Sequence, residues 1–204
     1  MSWAYYITDR RSCPIPLLGN IQIAIEAGVD FIQIREKDLP DRELFSLVLK
    51  ARQIGLGHST KILEKDLLDI ALAADLDGIH LGQGSISPIQ VRNQISRQDF
   101  VIGVSTHSLE EVRETQDART DYVTFGPVFF TPTKAVYGQP VGLKSLREVC
   151  RSSKIPVFAL GGVNRANYAE CLSNGASGVA AIRLFQDPQN PLREIVRQIK
   201  DFGS

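Results

Sequence analysis

The sequence has few cysteines, no net charge and no long apolar run, and each of these features argues against a class of protein. Cys13, Cys150 and Cys171 are scattered, odd in number and without Cys-x-x-Cys spacing, so they predict neither disulfides nor a metal framework and fit a reducing compartment. The 23 basic residues balance the 23 acidic ones. The chain therefore lacks the broad basic face that general nucleic-acid binding requires.

Membrane and targeting signals are also missing from the sequence. No stretch approaches the roughly 18 consecutive apolar residues of a membrane span, and the first residues show no basic segment followed by an apolar run. No low-complexity segment or Gly/Ser-rich linker divides the chain. We therefore expect residues 1–204 to form a single domain of a cytoplasmic protein, with neither a membrane nor a nucleic acid as partner.

Eight short apolar runs alternate with segments of helical periodicity along the chain. Each run is rich in Val, Ile, Phe or Tyr, a composition typical of parallel strands that are buried on both faces. The runs lie at residues 4–8, 31–35, 61–63, 78–81, 101–104, 122–125, 156–160 and 178–182.

Between the runs, helix signals recur. Residues 41–57 place apolar side chains on one face, and capping boxes are predicted at Ser87 and at Ser108. Residues 166–174 form a helical pattern that Gly175 ends, and residues 191–202 form an amphipathic one. Eight strand–helix units favour a compact α/β fold, a (β/α)8 TIM barrel. The alternative is a doubly wound open sheet, which usually has a Gly-rich turn after its first strand, whereas this chain has Ile-Thr-Asp-Arg there.

In a barrel the chemistry lies where strands end and the following loops begin. After the second run, Gln33 and Arg35 alternate onto the same face and Lys37 follows them, a set that suits an anionic ligand. The alternative for these residues is an ordinary surface mixture of charges.

Donors for phosphate follow the later runs. Thr131 and Thr133, with Lys134 beside them, come after the sixth run, where an ordinary loop with a proline turn is the alternative. The paired glycines Gly161 and Gly162 follow the seventh run, and Arg183 follows the eighth. Paired glycines let backbone N–H groups approach an anion closely.

His107, in the loop after the fifth run, is a candidate general acid or base at neutral pH, with a capping or surface role as the alternative. Ser105 precedes it and Gln83 follows the fourth run; both are candidates to hydrogen-bond a ligand. His80 is interpreted as a packed strand residue. The nearby carboxylates Asp9, Glu64 and Asp66 show no spacing that requires a metal.

These segments resemble the thiamine-phosphate synthase and TenI family. The similarity covers essentially the whole chain in order, and it rests on residues 6–9, 33–37, 69–72, 78–83, 102–107, 121–129, 131–134 and 161–162. The resemblance implies a (β/α)8 barrel of thiamin biosynthesis. A synthase of this family joins hydroxymethylpyrimidine pyrophosphate to thiazole phosphate with Mg²⁺ assistance and releases pyrophosphate, whereas TenI relatives isomerise the thiazole.

The resemblance also implies roles for the candidate residues. The pyrimidine pyrophosphate site would be lined by Gln33, Arg35, Lys37 and Lys134. The thiazole phosphate would be held by Thr131, Thr133 and the amides of Gly161 and Gly162. His107 occupies the position of the histidine that shuttles protons in TenI relatives.

The sequence departs from the synthase pattern around the implied metal site. Synthases usually have Asn-Asp-Arg where this chain has Lys65-Asp66-Leu67, and a second acid where it has Gly84-Ser85. Asp66 is therefore the one remaining candidate metal ligand, in a weakened site. Arg183 replaces a small residue of the family and adds a charge that would either bind phosphate or occlude one substrate pocket.

Three functions follow from this pattern. The first is a TenI-like thiazole tautomerase that needs no cofactor and uses His107 as base and then as acid. The second is a thiamine-phosphate synthase with an altered Mg²⁺ site, which explains why the candidate pyrophosphate residues are present. The third is a non-catalytic regulatory barrel that binds thiazole phosphate. The partners expected are small phosphorylated thiazole and, for the synthase, pyrimidine pyrophosphate; a homodimer is left open.

Overall fold

The computed structural model describes residues 1–116, 118–131 and 139–203. Strands and helices alternate along them. The strands are β1 Trp3–Ile7, β2 Phe31–Ile34, β3 Lys61–Lys65, β4 Gly78–Leu81, β5 Val101–Thr106, β6 Tyr122–Phe125, β7 Val157–Leu160 and β8 Gly178–Ala181. The helices are α1 Leu17–Glu26, α2 Asp41–Gly55, α3 Leu68–Ala73, α4 Pro88–Gln94, α5 Leu109–Gln116, α6 Gly142–Ser152, α7 Tyr168–Ser173, α8 Arg183–Gln186 and α9 Leu192–Lys200.

The eight strands are parallel and form a closed barrel in chain order. β1 closes the ring by pairing with β8, with Tyr5 opposite Ala180. The predicted TIM barrel is therefore confirmed, and the open doubly wound sheet is excluded. Every predicted run overlaps a strand.

Two strands extend further than the sequence predicted. β3 continues two residues past Leu63 to Lys65, and β5 continues past Val104 to Thr106. The prediction ended at the last apolar residue of each run, but the parallel ladder is made by backbone groups and can continue through polar side chains. These polar extensions bring Lys65 and Ser105 to the end of the barrel where the chemistry is expected.

A cluster of large apolar side chains fills the barrel interior, separate from the core between strands and helices. It contains Tyr5, Ile7, Leu63, Tyr122, Phe158 and Ala180. The ring centroids of Tyr122 and Phe158 are 5.2 Å apart in an edge-to-face arrangement. Gly103 makes room for this packing, because a Cβ atom there would lie 2.0 Å from Cζ of Tyr122. The interior is thus a packed core and not a pore.

The helix signals are largely confirmed. Ser87 forms the predicted capping box with Gln90 at the start of α4. At α5, Ser108 Oγ accepts from the backbone N–H of Glu111, but the Glu111 carboxylate accepts from the N–H of His107 and not from that of Ser108. The second capping box is therefore only half formed. Every helix in the described part of the chain is too short or too polar to cross a bilayer.

Candidate functional site

The candidate residues that the structure describes gather at one end of the barrel. We define the mouth as the carboxyl ends of the eight strands together with the loops that follow them. In β1 to β8 side chains alternate between the interior and the helices, so residues two positions after an interior residue also face inward. Because Leu63 and Tyr122 pack inside the barrel, Lys65 and Thr124 face inward nearer the mouth.

The residues after β2 divide between the interior and the mouth. Gln33 is buried, and its Oε1 accepts a hydrogen bond from the hydroxyl of Tyr5 at 2.9 Å. Arg35 is half-buried and Lys37 is exposed. Neither of these two cations forms an ion pair within the described residues. Gln33 therefore lies on the predicted inward face, and Arg35 follows the end of β2 nearer to solvent.

The Glu36 carboxylate accepts hydrogen bonds from neighbouring groups of the protein. Its Oε1 accepts from the Thr8 hydroxyl at 2.6 Å, and both carboxylate oxygens accept from the backbone N–H of Arg10. Burial raises the pKa of Glu36, and the hydrogen bond from Thr8 works in the opposite direction. This carboxylate ties the loop after β1 to the loop after β2 and is not available to Arg35 or Lys37.

Lys65, Asp66 and Ser85 form one cluster between the ends of β3 and β4. Oδ1 of Asp66 accepts from the Lys65 ammonium at 2.5 Å, from the Ser85 hydroxyl, and from the Gly82 amide at 2.8 Å. Burial by itself would raise the pKa of Asp66, but the hydrogen bonds from Lys65 and Ser85 hold that pKa below its ordinary value. Burial lowers the pKa of Lys65, and Asp66 opposes that change.

This cluster does not fit a magnesium ion. Mg²⁺ takes an octahedral set of oxygen ligands, with carboxylates prominent among those from the protein. Here the one carboxylate already accepts three hydrogen bonds on a single oxygen, and an ammonium lies against it. Residues 1–116, 118–131 and 139–203 contain no group of three His, Cys, Asp or Glu side chains arranged for a metal. Because Ser85 bonds directly to Asp66, Arg183 does not lie between them.

Glu64 faces away from the interior and is 1% exposed. Its Oε2 accepts from the backbone N–H of Leu67 at 2.6 Å, at the start of α3. Burial raises the pKa of Glu64 to about 8. The carboxyl therefore supports the loop after β3 from behind the mouth.

A chain of hydrogen bonds crosses the barrel interior and ends at Ser105. The Tyr5 hydroxyl lies 2.8 Å from that of Tyr122, which lies 2.9 Å from Nδ1 of His80. Nε2 of His80 lies 2.9 Å from Oγ of Ser105. Burial raises the pKa of both tyrosines, so their hydroxyls remain protonated. His80 is a packed strand residue, as interpreted, but it also orients a hydroxyl at the mouth.

Sequence reasoning missed this chain and Thr124. The Thr124 hydroxyl is buried without a hydrogen-bond partner in the described part of the protein, and Thr124 pairs with Ser105 in the ladder between β5 and β6. The signal that could have found them is alternation. Tyr5, His80, Ser105, Tyr122 and Thr124 all occupy inward positions of their strands.

His107 is half-buried in the loop after β5 and is held at two points. Its Nδ1 bonds to the carbonyl oxygen of Gly126, and its backbone N–H donates to Glu111 at 2.7 Å. Since a carbonyl only accepts, Nδ1 carries the hydrogen and Nε2 of the neutral ring is an acceptor. The other oxygen of Glu111 accepts from Gln83 at 3.2 Å. Between these loops lies a cleft of about 320 Å³ whose lining includes Gln83, Ser85, Ser105 and Glu111.

The two positions after β7 require glycine, both for their backbone conformation and for the space around them. Gly161 has φ +93° and Gly162 has φ +66°, values that residues with side chains rarely adopt. A Cβ atom at Gly162 would lie 2.7 Å from Cβ of Phe129 in the neighbouring loop. Thr131 lies in that same loop. Thr133 and Lys134 lie outside the described residues.

Arg183 begins α8 directly after β8, and β8 pairs with β7. It is exposed and forms no ion pair within the ranges that the structure describes. Its position therefore places a positive charge on the same side of the mouth as the two glycines.

Comparison with known proteins identifies a family and several relatives that are similar to this chain. The model of the family described as "Thiamine monophosphate synthase" matches residues 4–185. A relative from Geobacter sulfurreducens, provisionally named a thiamine-phosphate synthase, is 41% identical over 90% of this chain and 87% of its own. The thiamine-phosphate synthase of Clostridium novyi is 36% identical over 87% of each chain.

A solved structure agrees with these sequence matches. Thiamine phosphate pyrophosphorylase from Pyrococcus furiosus superposes with a TM-score of 0.84 and 33% sequence identity. The match covers 97% of this chain and 93% of that one. These names favour the synthase alternative, and the tautomerase that the sequence put first is not confirmed.

Proposed function

From the premise that this chain belongs to the thiamine monophosphate synthase family, we propose that it is a thiamine-phosphate synthase. It would be a transferase of thiamine biosynthesis that joins a pyrimidine pyrophosphate to a thiazole phosphate and releases pyrophosphate. Its substrates would be these two small phosphorylated molecules.

The observation that carries this proposal is the imbalance of available charge at the mouth. Arg35, Lys37 and Arg183 form no ion pairs within residues 1–116, 118–131 and 139–203. In contrast, Glu36 and Asp66 accept hydrogen bonds from the protein itself. A mouth with uncompensated cations and occupied carboxylates suits substrates that carry three phosphate groups between them.

The cations divide between two sides of the mouth. Arg35 and Lys37 follow β2, next to Lys65 at the end of β3, and we assign this side, with Gln33, to the pyrophosphate. The family resemblance implies that Lys134 binds the pyrophosphate as well. When the pyrophosphate leaves it takes the bonding electrons with it, and fixed cations stabilise the charge that develops. Gly161, Gly162 and Arg183 lie at the ends of β7 and β8, and we assign this side, with Thr131, to the thiazole phosphate. The family resemblance implies the same role for Thr133. Gln83 and Ser105 line the cleft between them.

The test is direct assay of the condensation. Purified protein is incubated with hydroxymethylpyrimidine pyrophosphate and aromatic thiazole phosphate, with and without Mg²⁺, and thiamin phosphate is quantified by chromatography. Product formation at rates proportional to enzyme concentration is expected. If neither condition yields product, the synthase assignment is wrong.

His107 supports the second candidate, the thiazole tautomerase. The bond to Gly126 leaves Nε2 of the ring as an acceptor, which a proton shuttle requires. The discriminating assay is conversion of the non-aromatic thiazole tautomer by the wild type and by His107→Asn, whose amide can still donate to Gly126. Conversion that disappears in His107→Asn, without any condensation, would support the tautomerase. Thiazole phosphate binding without either reaction would support the regulatory barrel.

A further inference from the structure

Lys65 occupies an unusual place for a lysine. It is the last residue of β3 and faces inward beside His80, its partner in the ladder between β3 and β4. Its side chain is only 11% exposed. Since the apolar stem is held among strand ends, the ammonium lies in the mouth and not in bulk solvent.

Asp66 fixes that ammonium in position. The Asp66 carboxylate accepts from Lys65, Ser85 and Gly82, and its backbone N–H donates to the carbonyl oxygen of His80 at 3.1 Å. Asp66 has φ +73°, in the left-handed region that residues with side chains seldom occupy. The carboxylate is therefore anchored by its own backbone and by the loop after β4.

Gly82 keeps the space beside the ammonium open. A Cβ atom at Gly82 would lie 2.7 Å from Nζ of Lys65, although the backbone there does not have a positive φ. An ammonium carries three N–H donors. Within the described residues Asp66 is its one hydrogen-bond acceptor, so further donors can serve a ligand.

The proposed function assigns this side of the mouth to pyrophosphate, and on that basis we propose that the Lys65 ammonium supplies the positive charge that a protein-held metal ion would otherwise bring there. Asp66 holds the ammonium as it would hold a metal, and Ser85 leaves no second carboxylate to attract one. Arg35 and Lys37, on the adjacent strand end, complete the cationic set. Pyrophosphate binding at this side therefore needs no divalent cation.

The test measures binding of inorganic pyrophosphate by isothermal titration calorimetry, in EDTA and in Mg²⁺. The wild type is expected to bind pyrophosphate in EDTA. Lys65→Met keeps the length of the stem but loses the charge, and its affinity in EDTA should fall at least about tenfold, the loss expected for a hydrogen bond to a charged group. Wild-type binding that requires Mg²⁺, or equal affinity of Lys65→Met in EDTA, would overturn the proposal.

Lys61→Met is the matched control. Lys61 begins the same strand, faces the same way and lies about 13 Å from Lys65 along it. Its ion pair with Asp77 is partly exposed, so its loss costs little. Unchanged pyrophosphate affinity is expected, and a loss equal to that of Lys65→Met would contradict a local role. Circular dichroism and thermal unfolding confirm that each variant is folded.

A second variant replaces the Lys65 ammonium by a carboxylate that can bind a metal ion. In Lys65→Asn with Ser85→Asp, a second carboxylate stands beside Asp66 and the ammonium is gone. Its pyrophosphate binding should become dependent on Mg²⁺, and equal affinity in EDTA and Mg²⁺ would contradict the proposal. The condensation assay is independent of these titrations. If pyrophosphate binds without metal but no thiamin phosphate forms, only the proposed function is wrong. If thiamin phosphate forms but pyrophosphate binding strictly requires Mg²⁺, only this inference is wrong.

Discussion

Nε2 of His80 lies 2.9 Å from Oγ of Ser105, and its Nδ1 lies 2.9 Å from the Tyr122 hydroxyl. Both ring nitrogens of a residue that is 2% exposed are therefore engaged, one inside the barrel and one at the mouth. The Ser105 hydroxyl at the mouth is held in place by the packed interior beneath it. Packing and chemistry are coupled at this point.

His80→Phe should lower both the stability of the protein and its catalytic rate. Phenylalanine fills a similar volume but leaves the buried Tyr122 hydroxyl without one partner, so the free energy of unfolding should fall by about 1–3 kcal/mol. The catalytic rate constant should fall as well, because Ser105 loses its positioning contact. Thermal unfolding and steady-state condensation kinetics measure the two effects. Ser105→Ala is the control for stability: Ser105 is only half-buried, so a much smaller loss is expected, and an unaltered melting temperature of His80→Phe would refute the coupling.

Gly162→Ala should disrupt the loop after β7. The left-handed φ of +66° costs an L residue with a side chain roughly 1–2 kcal/mol, and the new Cβ would collide with Phe129. Thermal unfolding should show the destabilisation, and titration with thiazole phosphate should show weaker binding. Gly84→Ala is the matched control, since a Cβ there meets no atom within 4 Å. If the two variants have equal stability and equal affinity for thiazole phosphate, the loop after β7 does not require glycine at position 162.

Glu64 should make stability depend on pH. Its pKa is about 8 in the folded protein, against an ordinary value of about 4.3 in the unfolded chain. Between these values the folded state holds a proton that the unfolded state has lost, so the free energy of unfolding falls as pH rises. Glu64→Gln removes this pH-dependent contribution to stability, while the amide oxygen of the new side chain can still accept the hydrogen bond from the Leu67 N–H.

The measurement is thermal unfolding from about pH 5 to about pH 8, the range between those two pKa values. The wild type should lose more stability across it than Glu64→Gln, and the two should converge at the acidic end. Glu110→Gln, at an exposed position of α5, serves as the control and should follow the wild type. Parallel curves for wild type and Glu64→Gln would contradict the prediction.

Arg35→Gln should raise the Michaelis constant for the pyrimidine pyrophosphate at least about tenfold, because a charge-assisted contact to phosphate is lost. Added salt should weaken wild-type binding more than that of the variant, since mobile ions screen the lost interaction. Arg151→Gln, in the last turn of α6 and away from the mouth, provides the comparison. If both variants keep wild-type kinetics, Arg35 does not contact the substrate.

The sequence predicted the fold well because periodicity reports burial directly. Eight apolar runs of strand length became eight strands, and the parallel barrel follows from the helices between them. What the runs could not show is where ladders end in polar residues. Lys65 and Ser105 belong to strands because backbone pairing continues beyond the last apolar side chain.

The candidate site was predicted only in part. Arg35, Gly161 and Arg183 were placed at the mouth by their position after a strand, a rule that needs no contact information. The contact of Asp66 with Ser85 joins residues 19 positions apart, and the contact of Tyr5 with Tyr122 joins residues 117 apart. Such pairs follow from how the barrel closes, which local pattern does not encode. For the same reason the sequence showed a lost carboxylate at Ser85 but not the contacts that hold Lys65 beside Asp66.

The aromatic side chains that fill the barrel interior have a kinetic consequence. With Tyr5, Tyr122 and Phe158 closing the centre, no passage leads through the barrel that the described strands form. The substrates of the proposed synthase would therefore enter, and its products would leave, only through the mouth. A product that stays bound at the mouth would therefore delay the binding of the next substrates.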